Sequence, residues 1–266
     1  MSGWGDGAAW QDERLRREVF LFRSGPDLLY GSLTAAIHPT TTLGLVVVPS
    51  WGQDMADQLE LCHHLARQVA ESGGAGLVYH PPGQGDSGGR MEDVTVEGLT
   101  AAAMDAVAAA AARVPEASWQ LGGVGLGASV AVLAASARGS SVLPLVHPEL
   151  DPEEYFARLE RYARLARLGT EGGLFGYPLG EGLSRSARTA DVSAALSAFP
   201  GRGAVVRFSS PPADPPPAPL EEVVVPGEWL QPLSRSDLPS LARAASRWTI
   251  DAAAGTERLA SAERRA

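Results

Sequence analysis

Four short apolar runs, LGLVVVP (43–49), AGLVYH (75–80), WQLGGV (119–124) and SVLPLVH (141–147), alternate with segments of helical pattern. Uninterrupted apolar runs of this length mark strands buried on both faces. Strands that alternate with helices form an open, mostly parallel sheet with helices on both sides. The spacing predicts helices over about 54–72, 95–114 and 128–138. The first ends at Gly73-Gly74, where glycine takes the left-handed C-terminal conformation, and Pro115 stops the second. EVFLFR (18–23) and DLLYGSLTAAI (27–37) read as an antiparallel pair joined by Ser24-Gly25-Pro26. After residue 150 the rhythm breaks, with an arginine-rich helix over 151–168 and a Gly/Ser-rich stretch to about 200. GAVVRF (203–208), a proline-rich loop, EVVVPG (222–227) and a helix near 237–249 follow. The expected organisation is an α/β core over 18–149 and 201–250, interrupted by a helical cap over 150–200 that covers the carboxyl ends of the strands. Residues 1–17 and 251–266 are expected to be a flexible N-terminus and tail.

A chain of 266 residues suffices for one such domain with a well-buried core. The net charge of -9 argues against nucleic acid or an anionic membrane as partner, since both demand concentrated positive charge. All 22 basic residues are arginine, so Schiff-base chemistry on lysine is excluded. The single cysteine, Cys62, excludes an internal disulfide and a cysteine-cluster metal site. It shares a helical stripe with Met55, Leu59, Ala66 and Val69, the position of a small core hydrophobe. His63 and His64 are adjacent and so point about 100° apart, which is wrong for an i,i+4 metal pair. No metal and no cofactor is expected. The N-terminus lacks a leader-like apolar region, and no apolar run reaches the ~20 residues of a membrane helix, so the expected location is cytoplasmic.

Open α/β sheets bind ligands beyond the carboxyl ends of their strands. The loops there are Pro49-Ser50-Trp51-Gly52-Gln53-Asp54, His80 to Ser87, Gly125-Leu126-Gly127-Ala128-Ser129 and His147-Pro148-Glu149. His147 is followed closely by Glu149 and Asp151, so it is a candidate proton-transfer group with Glu149 as its acid; a satisfied strand-end histidine is the plainer alternative. His80 reads as a fold-maintaining group, and Asp86 and Ser87 as holders of their own tight turn. Arg158, Arg161, Arg164 and Arg167 repeat every three residues; they read as a solvated face, with capture of an anionic group as the sharper alternative. Gly123-Val124-Gly125-Leu126-Gly127-Ala128 also fits a GxGxxA dinucleotide motif, but it follows a late strand and lacks the acidic residue that would hold a ribose.

The leading antiparallel pair with VVVPSWGQDM, HPPGQGDSGG, GVGLGASVAV, and VHPELDPEEYF followed by FGYPLGEGL resembles the α/β-hydrolase superfamily over roughly residues 18–230. Within it, the chain is similar to the exosortase-system-associated hydrolases of the type without an elbow serine. The resemblance implies a nucleophile position at the centre of the Gly125–Ser129 turn, which is Gly127. It implies an acid in the 209–217 loop, where Asp214 is the available carboxylate, and a histidine after the last strand, where the chain has Gly227-Glu228-Trp229. No histidine occurs after His147, so two members of a Ser-His-Asp triad are missing. Ser129 reads as a small packing residue and not as a substitute nucleophile. The backbone N–H groups of Trp51 and Ala128 read as an oxyanion-hole pair, with Ser50 and Gly52 beside them. Trp229 and Glu228 read as an apolar wall and a second acid of the cleft, although a surface position for Glu228 is the plainer reading. Two functions follow. One is an atypical enzyme acting on a small molecule or peptide by isomerisation, epimerisation, cyclisation or unconventional hydrolysis. The other is a non-catalytic pseudo-hydrolase that binds a ligand or docks a partner.

Overall fold

The computed structural model describes residues 9–165, 173–174, 177–210, 215–228 and 238–263. Strand β1 (Ala9–Gln11) pairs with β2 (Leu15–Ser24), which turns into β3 (Asp27–Ala36). Strand and helix then alternate as expected: β4 (Leu43–Val48), α1 (Gln53–Glu71), β5 (Ala75–Tyr79), α2 (Val96–Arg113), β6 (Ser118–Val124), α3 (Gly127–Arg138) and β7 (Val142–Val146). The next segment holds α4 (Pro152–Leu165), the short pair β8 (Gly173–Leu174) and β9 (Tyr177–Pro178), α5 (Glu181–Thr189) and α6 (Val192–Ser197). β10 (Arg202–Ser210), β11 (Glu221–Glu228) and α7 (Leu238–Glu263) complete the described chain.

Nine strands form one sheet in the order β1-β2-β3-β5-β4-β6-β7-β10-β11. The β1-β2, β2-β3 and β3-β5 pairs are antiparallel and every pair from β5 to β11 is parallel. The two faces of β4 show how the layers form. Leu43, Leu45 and Val47 join Leu61, Cys62, Leu65 and Val69 of α1 and Leu241, Ala242 and Ala245 of α7. Val46 and Val48 point the other way, into a cluster with Ala102, Ala103, Ala106 and Ala110 of α2 and Ala131, Ala134 and Ala135 of α3. Each buried Val or Leu is worth about 1.5–3 kcal/mol over exposure. The alanine faces let α2 and α3 sit close to the sheet. Thr95 caps α2, its hydroxyl accepting from the Gly98 N–H at 3.0 Å.

Both ends of the chain differ from expectation. Part of the stretch read as a flexible N-terminus is ordered strand, since Ala9 to Gln11 pair with Glu18 to Arg16 and β2 starts at Leu15. Its backbone pairs with β2, and no apolar run announces so short an edge strand. The tail read as flexible after Asp251 is helix through Glu263. Its alanines and charged residues are good helix formers, no proline interrupts them, and Ala252 is buried.

Candidate functional site

β6 ends at Val124, and the chain leaves it through Gly125 at φ 57°, a left-handed conformation that costs a side-chain-bearing residue about 1–2 kcal/mol. The Gly125 carbonyl accepts from the N–H groups of Ala128 (3.1 Å) and Glu149 (3.0 Å). A Cβ on Gly127 would lie 2.3 Å from the Val48 carbonyl oxygen and 2.4 Å from that of Pro49. A Cβ on Gly123 would lie 2.4 Å from the Gly127 carbonyl oxygen. Gly123 and Gly127 are thus required by close backbone approach, and the sharp strand-to-helix turn between them is centred on Gly125. This corrects the assignment of Gly127 as the elbow centre. Three alternating glycines allow two registers, and only the backbone angles and contacts choose between them. The centre remains a residue without a hydroxyl or thiol.

A Cβ at Gly125 would meet Gln58 Oε1 at 2.8 Å and Ser50 Oγ at 2.9 Å. The buried Ser50 hydroxyl accepts from the Leu126 N–H at 3.2 Å and also bonds the Tyr155 phenol. Tyr155 in turn donates to Asp54 Oδ2 at 2.9 Å. Burial, then the Asp54 carboxylate, holds the Tyr155 phenol well above its ordinary pKa, so it stays protonated. The N–H after an elbow's centre is an oxyanion donor in hydrolases of this type. Here that N–H, on Leu126, is taken by Ser50. The Ala128 N–H, expected as the donor, instead closes the turn onto Gly125, which is a second correction. The Gly52 N–H donates to Gln84 Oε1 at 2.7 Å. The buried Trp51 indole packs edge-on to Phe156 at 5.6 Å and lies 6.4 Å from the Tyr177 ring.

His147 also adopts positive φ, 42°, where few residues with a Cβ are found. Its N–H donates to the Val206 carbonyl at 3.0 Å, and its Nε2 accepts from the Phe208 N–H at 2.8 Å. Burial, helped by the Arg207 charge, lowers its pKa to about 3. The imidazole is therefore neutral near pH 7, with one ring nitrogen committed to β10. Glu149 faces α4, with Oε1 2.5 Å from Arg158 Nη2. Its burial raises the carboxyl pKa while Arg158 acts in the opposite direction. The structure thus turns the two expected proton-transfer residues toward different elements. Ser129 is fully buried, and its hydroxyl donates to the Glu149 carbonyl at 2.5 Å.

His80 Nδ1 accepts from the Asp86 N–H at 3.0 Å, and the Ser87 hydroxyl donates to the His80 carbonyl at 2.6 Å, so this loop braces itself. Arg161 pairs with Glu154 on the exposed face of α4. Glu228 closes β11 opposite Ser210. Trp229, Asp214 and Arg167 lie outside the described residues. Among the described residues no group of His, Cys, Asp or Glu could hold a metal ion, and no helix is long and apolar enough to cross a membrane. Sequence reasoning missed Gln58, Asp54, Tyr155 and Gln84. Asp54 and Gln84 stand inside the quoted loops, but nothing in their spacing ties them to Tyr155 or Gly52.

No family model and no curated protein matches the chain. Solved structures do. Est1E from Butyrivibrio proteoclasticus, solved with ferulic acid bound, is 17% identical with a TM-score of 0.62, over 88% of this chain and 99% of that one. A dienelactone hydrolase from Anabaena variabilis is 12% identical with a TM-score of 0.59, over 90% and 99%. An alpha-beta serine hydrolase homologue from Coxiella burnetii is 16% identical with a TM-score of 0.57, over 86% and 96%. The chain has the α/β-hydrolase fold: a mostly parallel sheet flanked by helices.

Proposed function

We propose that this chain is a non-hydrolysing α/β-hydrolase-fold protein that binds a small molecule or peptide at the carboxyl ends of its strands. One observation carries the reading: the elbow centre is Gly125, and the following N–H is held by the Ser50 hydroxyl. An acyl-transfer site needs a nucleophile at that centre and a free donor beside it. The neutral, β10-bound His147 and the Arg158-paired Glu149 support the same reading. On this view residues 150–200 act as a cap, with Tyr155 and Phe156 of α4 closing over Ser50 and Trp51.

The hydrogen-bonded chain from Ser50 through Tyr155 to Asp54 favours a second reading, proton transfer without a triad. Turnover of p-nitrophenyl acetate and an acyl thioester by wild type, Ser50→Ala and His147→Ala tests the absence of hydrolysis. The expected result is no release above the uncatalysed rate for any of the three proteins. Wild-type turnover that disappears in either variant would overturn the binding reading and make the altered residue part of a working site.

A further inference from the structure

We infer that the open edge of β11 pairs with the same strand of a second copy of this chain, antiparallel and centred on Val224, joining two sheets into one across a two-fold axis. Among the described residues β11 has one sheet neighbour, β10, and its other side is an edge. The two edges of the sheet are unlike. β1 is three residues long and offers little to pair with, whereas β11 is eight residues long and carries Val223, Val224 and Val225 in its middle. Val224 is 52% exposed. Edge strands are guarded against pairing by shortness, uncompensated charge or proline. The charges here are Glu221 and Glu222, and Arg202 and Arg207 of β10 already pair with them. Pro226 is the remaining guard.

The backbone sets the register. The Gly227 N–H donates to the Ser209 hydroxyl at 3.4 Å and the Gly227 carbonyl accepts from it at 3.2 Å, so both groups face β10. Alternation along the strand turns those of Val223 and Val225 the same way, and those of Glu222, Val224 and Pro226 toward the open edge. With Val224 on the axis, the two copies of Val224 exchange both N–H···O bonds. Each Glu222 N–H then meets the carbonyl of the second copy's Pro226, a bond for which proline needs no N–H. The side chains fit the same register. On the α7 face Val223 comes opposite Val225, and Glu221, held by Arg202 and by the Trp248 indole at 3.1 Å, comes opposite Gly227, which has no side chain to collide with it. On the other face Val224 meets Val224, and Glu222 comes opposite Pro226, so no like charges are opposed. Centring the pair on Glu222 would instead set two carboxylates against each other. A strand complementary to itself in this way fits a second copy and a closed, two-fold contact.

The test is sedimentation equilibrium of the full-length protein over a concentration series, with Val224→Lys beside it. Wild type is expected to reach twice the chain mass of 27.8 kDa. Val224→Lys sets two ammonium groups against each other on the axis and is expected to weaken association at least tenfold, with an unchanged urea midpoint showing that it is folded. Cross-linking checks the register without relying on that variant. Directly opposed residues of a hydrogen-bonded pair lie about 5.5 Å apart between Cα atoms, within reach of a disulfide. Oxidised Val224→Cys is therefore expected to run as a covalent dimer and Glu222→Cys as a monomer; Cys62 is buried and does not compete. A monomeric wild type overturns the inference and leaves the edge to an extended segment of another protein. Equal association of a folded Val224→Lys protein, no cross-link through Val224→Cys, or equal cross-linking at positions 222 and 224 also overturns it, by placing the contact elsewhere.

Discussion

Two neighbouring strands, β6 and β7, end in the same way and serve opposite ends. Each leaves the sheet through a left-handed residue, Gly125 at φ 57° and His147 at φ 42°. At β6 the conformation and flanking glycines of a nucleophile-bearing turn are intact, but the central side chain is missing. At β7 a side chain with suitable chemistry is present, but it fastens β7 to β10 through the Phe208 N–H. Geometry without a reactive group stands beside a reactive group without freedom. On the proposed reading, backbone architecture and catalytic capacity are separable properties of this fold.

The comparison breaks most readily at the elbow. Gly127→Ser drives a Cβ against the Val48 and Pro49 carbonyls and is expected to cost about 3 kcal/mol or more, whereas Gly125→Ser costs about 1–2 kcal/mol for the left-handed conformation plus a smaller amount for displacing the Gln58 and Ser50 side-chain ends. Urea unfolding of both variants measures the difference, and a reversed order would return the turn's centre to Gly127. Gly125→Ser is also expected to gain no esterase activity, because His147 stays bound to β10. Ser50→Ala leaves the buried Leu126 N–H without its acceptor, an expected loss of about 1–3 kcal/mol in the same experiment. Unchanged stability would mean that Ser50 does not plug the donor.

The β7 side is tested by pH. His147 has a folded pKa of about 3 against an ordinary value near 6.5, so the unfolded chain binds its proton first. Its stabilising contribution is fully present above pH 6.5 and is lost as the pH falls toward 3. Glu149, with its raised pKa, works in the opposite direction. Between pH 7 and 4, His147→Gln is expected to lose less stability than wild type, since glutamine does not titrate there. Parallel curves for the two proteins would mean that His147 titrates normally. The smallest effect belongs to Arg158→Ala at pH 7. Its pair with Glu149 is about one-third exposed on both sides, so solvent screening limits the loss to about 1 kcal/mol or less. A larger loss would make α4 a stronger clamp on the β7 loop than its exposure implies.

Much of the fold is legible in the sequence because it depends on local patterns. LGLVVV can satisfy its six buried positions only inside a sheet, and Pro115 has no N–H with which to continue α2. The parallel run of β4 to β7 follows from alternating strands and helices under rules that hold for any chain, while their order in the sheet is read from the structure. The site is less legible. The sequence by itself determines that no lysine, no late histidine and no serine at either candidate glycine is available. It places Ser50, Gly125 and His147 at strand ends without saying which atoms they engage. Only the tertiary structure decides that the elbow centre is 125 and not 127, because the choice depends on carbonyls of β4 meeting a helix that begins 79 residues after Val48. It alone joins Tyr155 to Asp54 across 101 residues and turns His147 toward β10. Hydrogen bonds between residues far apart in the chain leave no periodic trace in sequence, since they are set by the packing of whole elements and not by the spacing of neighbours.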